Sequence, residues 1–314
     1  MAASIHELHP ERFHYGWDNS LEPALTVSSG ETVLLHARDA SDEQLGPDAT
    51  VEDVAAMDFG HVNPVSGPVH VEGAMPGDVL QVDILEFSQP TWGWTAIIPG
   101  FGLLADEFTE PWLRISTVEG DRVRFSDDVT LPLRPFPGTL GVAMPEPGVH
   151  SVVPPSRFGG NLDVKHLNPG ATLYLPVGVE GALFSLGDTH AAQGDGEVCG
   201  TAIETTMDVT VRLTVRRDIR VDAPQVDLPR GLVADQAGSP YHVCTGVGPD
   251  LFEASRDAVR AGIAWLGDAR GLDSEEAYAL LSVAGDLRIN EIVDAPNWVV
   301  GIFVPLAIFG GGAT

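Results

Sequence analysis

Val209-Thr210-Val211-Arg212-Leu213-Thr214-Val215-Arg216 alternates apolar and polar residues without a break. Successive side chains of a strand point to opposite faces, so this stretch reads as a β-strand with one buried and one polar face. Four segments elsewhere carry a related signature behind a turn. Ser29-Gly30-Glu31 precedes Thr32-Val33-Leu34-Leu35-His36, and Pro76-Gly77-Asp78 precedes Val79-Leu80-Gln81-Val82-Asp83-Ile84. Glu119-Gly120-Asp121 precedes Arg122-Val123-Arg124-Phe125, and Pro169-Gly170 precedes Ala171-Thr172-Leu173-Tyr174-Leu175. In each unit glycine supplies the positive φ of a tight turn, and the residues after it are β-prone. The spacing between units is irregular, which argues against a solenoid and predicts hairpins in a β-sandwich or barrel.

Helical signals come late. Asp250 and Glu253 have capping-box spacing, and Leu251, Ala254, Ala258, Val259, Ile263 and Leu266 fall on one stripe. Asp273 with Glu276 repeats the device ahead of Tyr278, Leu280, Leu281, Ala284 and Leu287. The Gly- and Pro-containing stretch Asp235 to Pro249 reads as a connection. The expected fold is therefore mainly β, sandwich- or barrel-like, with a smaller C-terminal α/β portion. The expected division is a β-rich domain over 1–235 carrying the site, and a helical pair with closing strands over 236–314. Pro132 to Pro147, with five prolines, reads as an ordered loop. Trp92, Trp94, Phe101 and Phe108 bracket Pro99-Gly100 and read as a packed aromatic corner in preference to a lid over a small pocket.

Composition removes several functions. The 314 residues carry 45 Asp+Glu against 17 Lys+Arg, a formal charge of −28, and Lys165 is the only lysine. No basic stripe exists to displace counterions from a phosphate backbone, so nucleic acid and anionic membranes are excluded as partners. Hydrophobic residues at 44% are ample for a core, which excludes disorder. An acid excess of this kind also keeps a surface hydrated at high salt. Cys199 and Cys244 allow one disulfide at most, and Met1 to Glu11 has no apolar signal region, so a cytoplasmic location is expected.

Chemistry concentrates in Gly187-Asp188-Thr189-His190-Ala191-Ala192-Gln193-Gly194-Asp195-Gly196-Glu197, which opens at the end of an apolar run. Asp188 and His190, two apart, share a face if extended, a spacing that suits two ligands of one metal. Gln193, Asp195 and Glu197 lie on a glycine-rich loop able to fold back on them. The same block also reads as an ordinary polar hairpin, and composition does not choose. Gly159-Gly160-Asn161-Leu162-Asp163 offers two oxygen-bearing side chains beside a close backbone approach, or simply a turn. His36 and Asp39 end a strand, and Glu72 is a carboxylate in an apolar strand, costly to bury unless paired with a cation.

These blocks carry a resemblance. His14-Tyr15-Gly16-Trp17-Asp18-Asn19, Asn63-Pro64-Val65-Ser66-Gly67-Pro68-Val69-His70-Val71-Glu72-Gly73-Ala74, Gly159 to Asp163, Gly187 to Glu197 and Ala277 to Ile289 together resemble the acetamidase/formamidase family over almost the whole chain. The resemblance implies a β-rich fold, bound divalent metal, no organic cofactor, a homodimer, and hydrolysis of short primary amides to carboxylate and ammonia. On that reading Asp188, His190, Asp39 and Glu72 bind the metal, with zinc the expected ion and calcium a possible second, structural one. Glu197 shuttles the proton, with His190 and Asp163 beside it in catalysis. Asn161, Gln193, His14 and Asp18 are the expected substrate contacts, and Asn161 with Asp163 could instead hold a second ion. Two other readings remain: an amidase using Cys199 as nucleophile with Lys165 and a glutamate, and a non-catalytic β protein that binds calcium or a small polar ligand.

Overall fold

The computed structural model describes residues 5–229 and 240–309, without the side chains of 275, 276, 279 and 283. Two large sheets account for most of it. The first has nine strands, ordered Ile5–Glu7, Glu31–Ala37, Met207–Arg216, Val79–Phe87, Thr172–Pro176, Gln225–Leu228, Tyr241–Gly248, Trp298–Pro305 and Asp286–Glu291. The second has eleven, and Phe184–Ala192 is at its centre, paired with Phe136–Val142 on one side and with Val65–Val71 and Ile203–Glu204 on the other. The architecture is mainly β, as expected, and neither sheet closes into a barrel.

The alternation in residues 209–216 does what its period predicts. Val209, Val211 and Leu213 are fully buried, and together with Val33, Leu35, Val82 and Leu173 they meet Val69, Phe136, Leu140 and Phe184 of the second sheet in one core. All four predicted turn glycines have positive φ. Only the Glu119-Gly120-Asp121 turn makes a hairpin, joining Trp112–Glu119 to Arg122–Arg124. The other three carry the chain from the second sheet to the first, after Leu25–Val27, Val65–Val71 and Gly159–Asn161. A tight turn reverses the chain, but which strand it then pairs with depends on long-range burial, which a local signal does not carry.

Two loop assignments are corrected. Pro132 to Pro147 contains the strand Phe136–Val142, every residue of which is buried. The stretch read as a connection contains the strand Tyr241–Gly248, and the expected boundary at 235/236 lies outside the described residues. From Tyr241 onward, three strands extend the same nine-stranded sheet. The helix Leu251–Arg270 packs its small residues Ala254, Ala258 and Gly262 on this sheet. It starts where Asp250 accepts from the Glu253 amide (2.8 Å) and stops at left-handed Gly271. The second helix, Ser274–Ala284, forms as expected, but the capping contact expected of Glu276 involves a side chain outside those described. Gly181 packs directly against the His70 ring with φ of +75°. Gly181→Ala is expected to cost about 1–3 kcal/mol through overpacking and strain, measured by urea unfolding.

Candidate active site

The site forms along the middle of Phe184–Ala192. Gly187 presses against the Pro64 carbonyl, and the next residue, Asp188, has φ of +54° and leaves the regular pleat. Asp188 and His190 nonetheless face each other, with Oδ1 3.1 Å from Nε2. Glu204 stands directly opposite His190 in the neighbouring strand and places Oε2 3.0 Å from the same nitrogen. The other side of the ring is held by Gln193. Its amide nitrogen donates to the Asp163 carbonyl (3.2 Å), so its oxygen must accept from His190 Nδ1 (2.8 Å). In neutral His190 the proton therefore sits on Nδ1, and Nε2 is left to face the two carboxylates.

Asp163 and Glu197 complete the cluster. Asp188, His190 and Glu204 form one group of converging ligand atoms, and Asp163, His190 and Glu197 form a second, each within 4.8 Å. Asp163, Asp188 and Glu197 all adopt left-handed backbone, as does the nearby Asn63. For non-glycine residues this geometry persists only where packing imposes it, and it concentrates at functional sites. One such constraint is Gly138, where a Cβ would lie 2.6–2.8 Å from Asp163 Oδ1, Asp188 Oδ2 and His190 Cε1. Gly138→Ala is expected to push these three side chains apart and reduce turnover by about 10²-fold, with steady-state kinetics as the check. The residue-197 loop is pinned from the C-terminal part, where the Gly196 amide donates to Asn290 (2.9 Å) and Gly196 bridges to Glu291.

The electrostatics are unusual. Burial, followed by neighbouring carboxylates, holds Asp163, Glu197 and Asp294 well above the ordinary carboxylate range. Burial likewise pushes Glu204 and Glu291 up to about 7. Burial opposes the charge on His190, but Glu204 and Asp188 outweigh it and raise the imidazole well above its usual value. Asp188 is also opposed by burial, yet His190 and its hydrogen bonds leave it below the ordinary range. Both Asp163 carboxylate oxygens and Glu291 Oε2 are buried without a hydrogen-bond partner, and Glu204 Oε2 has only His190 Nε2 beside it (3.0 Å). An imidazole nitrogen among carboxylates with unsatisfied oxygens fits a divalent cation, the group that most directly compensates buried negative charge.

This predicts how metal-free stability depends on pH. Between the ordinary glutamate value of 4.5 and about 7, the folded chain binds more protons than the unfolded one at Glu204 and Glu291. Stability of the metal-free protein should therefore fall as pH rises through that window, and added metal should reverse the loss. Melting curves in chelator from pH 5 to 8 that stay flat or rise would contradict this.

A cavity of about 440 Å³ opens on the cluster, with Asn161, Asp188, Glu197, Glu204 and Asp294 as its polar wall. Asn161 accepts from the Thr139 hydroxyl and donates to Asp294. Of the expected residues, the structure brings Asp163, Asp188, His190, Glu197, Asn161 and Gln193 together. It does not bring the others. Asp39 is buried, but its carboxylate accepts from the Ser41 amide (2.8 Å), the Ser41 hydroxyl (2.5 Å) and Trp94 Nε1 (3.1 Å), so protein donors already satisfy it. Glu72 lies beyond the end of Val65–Val71, exposed, bonded to the Ser28 hydroxyl (2.8 Å). His14 is spent on Gly16 O (2.7 Å) and Ser185 Oγ (2.9 Å), and burial lowers it to about 4. Asp18 is a half-buried carboxylate bonded to the Ser20 amide and hydroxyl. Gln193 orients His190 and lines a neighbouring cavity of about 550 Å³ in place of this one.

The residues missed were Glu204, Asp294, Gly138 and Thr139. Glu204 follows the apolar pair Ala202-Ile203, the same signal that was assigned to Glu72. The aromatic corner is half right, since Trp94 is buried and lines the cavity with Phe101, while Phe108 is exposed.

A sequence profile of the acetamidase/formamidase family matches residues 3–151 and 144–311. The chain belongs to the acetamidase/formamidase family. A formamidase from Methylophilus methylotrophus is 27% identical over 372 residues, covering 95% of this chain and 89% of that protein. An acetamidase from Mycolicibacterium smegmatis is 30% identical over 256 residues, covering 61% of this chain and 63% of that one. Among solved structures, an acetamidase from Bacillus halodurans superposes with a TM-score of 0.88 at 32% identity, over 96% of this chain and 98% of that one. A gamma lactamase from Delftia acidovorans superposes with a TM-score of 0.67 at 25% identity, over 96% and 91%.

Within this family member, the cysteine route has little support. Cys199 and Cys244 are both free. Cys199 lines a second cavity with Glu197 and Lys165, but Lys165 is paired with Asp195 (2.9 Å) and Cys199 Sγ lies 3.3 Å from the Thr201 carbonyl. Cys199→Ser is expected to keep kcat within about twofold, because Lys165 is paired with Asp195 and not with the thiol. A loss beyond about 10²-fold would reinstate the thiol.

Proposed function

We propose that this protein is an amidohydrolase that cleaves short-chain primary amides of the formamide and acetamide type to carboxylate and ammonia. Relatives named formamidase and acetamidase support the reaction class. The observation that carries the mechanism is the convergence of Asp188 and Glu204 on His190 Nε2 at the floor of a cavity, with buried carboxylate oxygens left unsatisfied. Asp188, His190 and Glu204 would hold a divalent metal, and one imidazole with carboxylates favours zinc over calcium. When bound, such an ion polarises a carbonyl and lowers the pKa of water.

The remaining steps belong to the chain's own groups. Glu197 and Asp294 face the cavity and are available to the substrate amide nitrogen. Glu197 takes a proton from the attacking water as the new carbon–oxygen bond forms, and returns it to nitrogen as the carbon–nitrogen bond breaks. Ammonia leaves and the carboxylic acid ionises. Asp163 sits behind His190 (3.7 Å) and sets the charge around Glu197. A cytoplasmic homodimer is the setting we propose, and free cysteines suit a reducing compartment. Among the described residues no helix is long and apolar enough to cross a membrane.

Ammonia release from formamide and acetamide, with metal-replete and chelated protein side by side, tests the assignment. Turnover that chelation removes and zinc restores is expected. Full turnover in demonstrably metal-free protein would overturn the metal role, and none in any preparation would overturn the activity.

A further inference from the structure

The cavity is larger and more apolar than formamide or acetamide requires. At about 440 Å³ it falls in the range of roughly 300–1,000 Å³ typical of sites that enclose much larger ligands. Asn161, Asp188, Glu197, Glu204 and Asp294 line part of it, and Met57, Trp94, Ile98, Phe101 and Val153 are among the apolar residues that line the rest. Met57, Trp94 and Ile98 belong to a buried apolar cluster of their own, with Phe101 packed against it, separate from the inter-sheet core. This cluster is held in place from outside the cavity, since Trp94 Nε1 donates to Asp39 (3.1 Å) and Asp39 is fixed by Ser41.

We propose that this wall is an acyl pocket, and that the site takes neutral primary amides whose acyl group is branched or aromatic, of isobutyramide or benzamide size. The inference rests on the amidohydrolase reading and deepens it. The carboxamide lies on the carboxylate wall, and the hydrocarbon part lies against Met57, Ile98 and Phe101. Small amides enter the same site but leave most of the apolar wall uncovered, so they bind weakly. An acyl group bearing its own carboxylate is disfavoured, because Asp188, Glu197, Glu204 and Asp294 all face the cavity.

The test is a series of formamide, acetamide, isobutyramide and benzamide with metal-replete enzyme, read as ammonia release. KM is expected to fall about fourfold per methylene equivalent buried. Ile98→Trp, which fills the pocket, should shift the benzamide-to-formamide ratio of kcat/KM at least tenfold toward formamide. A KM that is flat or rises from acetamide to benzamide overturns the acyl pocket while formamide turnover leaves the amidohydrolase reading standing. No ammonia from any amide overturns both. If Ile98→Trp fails to fold, the wild-type series alone decides.

Discussion

Glu204→Gln is expected to lower turnover of acetamide by about 10³-fold and to release most of the bound metal. Loss of one charged ligand removes several kcal/mol of transition-state stabilisation, and about 4 kcal/mol corresponds to that factor. The substitution is close to isosteric. A glutamine Oε1 still accepts from the Ala202 amide, which Glu204 Oε1 meets at 2.7 Å. The second arm of this prediction separates ligation from structure. Glu204 is one of several carboxylates crowded in a buried space, where burial and Asp188 press its charge. Removing that charge should make metal-free protein more stable above about pH 7, even as it abolishes stabilisation by zinc. Metal analysis, kinetics and melting with and without chelator give the three readouts. Turnover near wild type with metal retained would remove Glu204 from the ligand set.

The second large effect is expected at Glu197. Glu197→Gln should reduce kcat by about 10²–10⁴-fold, leave KM within a few fold, and retain metal. The residue lines the cavity, is buried, and is held well above the ordinary range, chiefly by burial and then by Asp163. A base must be deprotonated to act. In the wild type, kcat should therefore rise with pH through the Glu197 titration, and the variant's residual rate should lack that limb. A pH profile identical in shape for both proteins would mean that another group moves the proton. Asp163 is the next candidate, because it is buried beside His190 with both oxygens unsatisfied.

The grouping of Asp188, His190 and Glu197 was legible because these residues are close in sequence. Asp188 and His190 need only a strand to share a face, and Glu197 needs only a glycine-rich return. Glu204 could be suspected from burial logic alone, but the same logic applied equally to Glu72, and only pairing told them apart. Glu204 is buried because His190 stands across the ladder from it, whereas Glu72 falls one residue past its strand and is exposed. Asp294 and Glu291 gave no local signal, because their role depends on the C-terminal strands extending the first sheet and pinning the residue-197 loop. The expectation for Asp39 failed for the opposite reason. A buried carboxylate needs a partner, and local Ser41 with distant Trp94 supplies neutral donors where a cation was expected.

By itself the sequence determined the mainly β character, the turn positions, the strong net acidity, and most of the buried Asp-His-Glu cluster. Each of these rests on short-range physics: side-chain alternation, glycine at positive φ, and net charge. The tertiary structure alone decided which strands pair, that three turns pass between sheets, and that Glu204 and Gly138 meet Asp188 and His190 while Asp294 lines the same cavity. Those juxtapositions come from burying the two sheets against each other. Long-range burial sets register, and register, not sequence spacing, decides which carboxylates share one small volume.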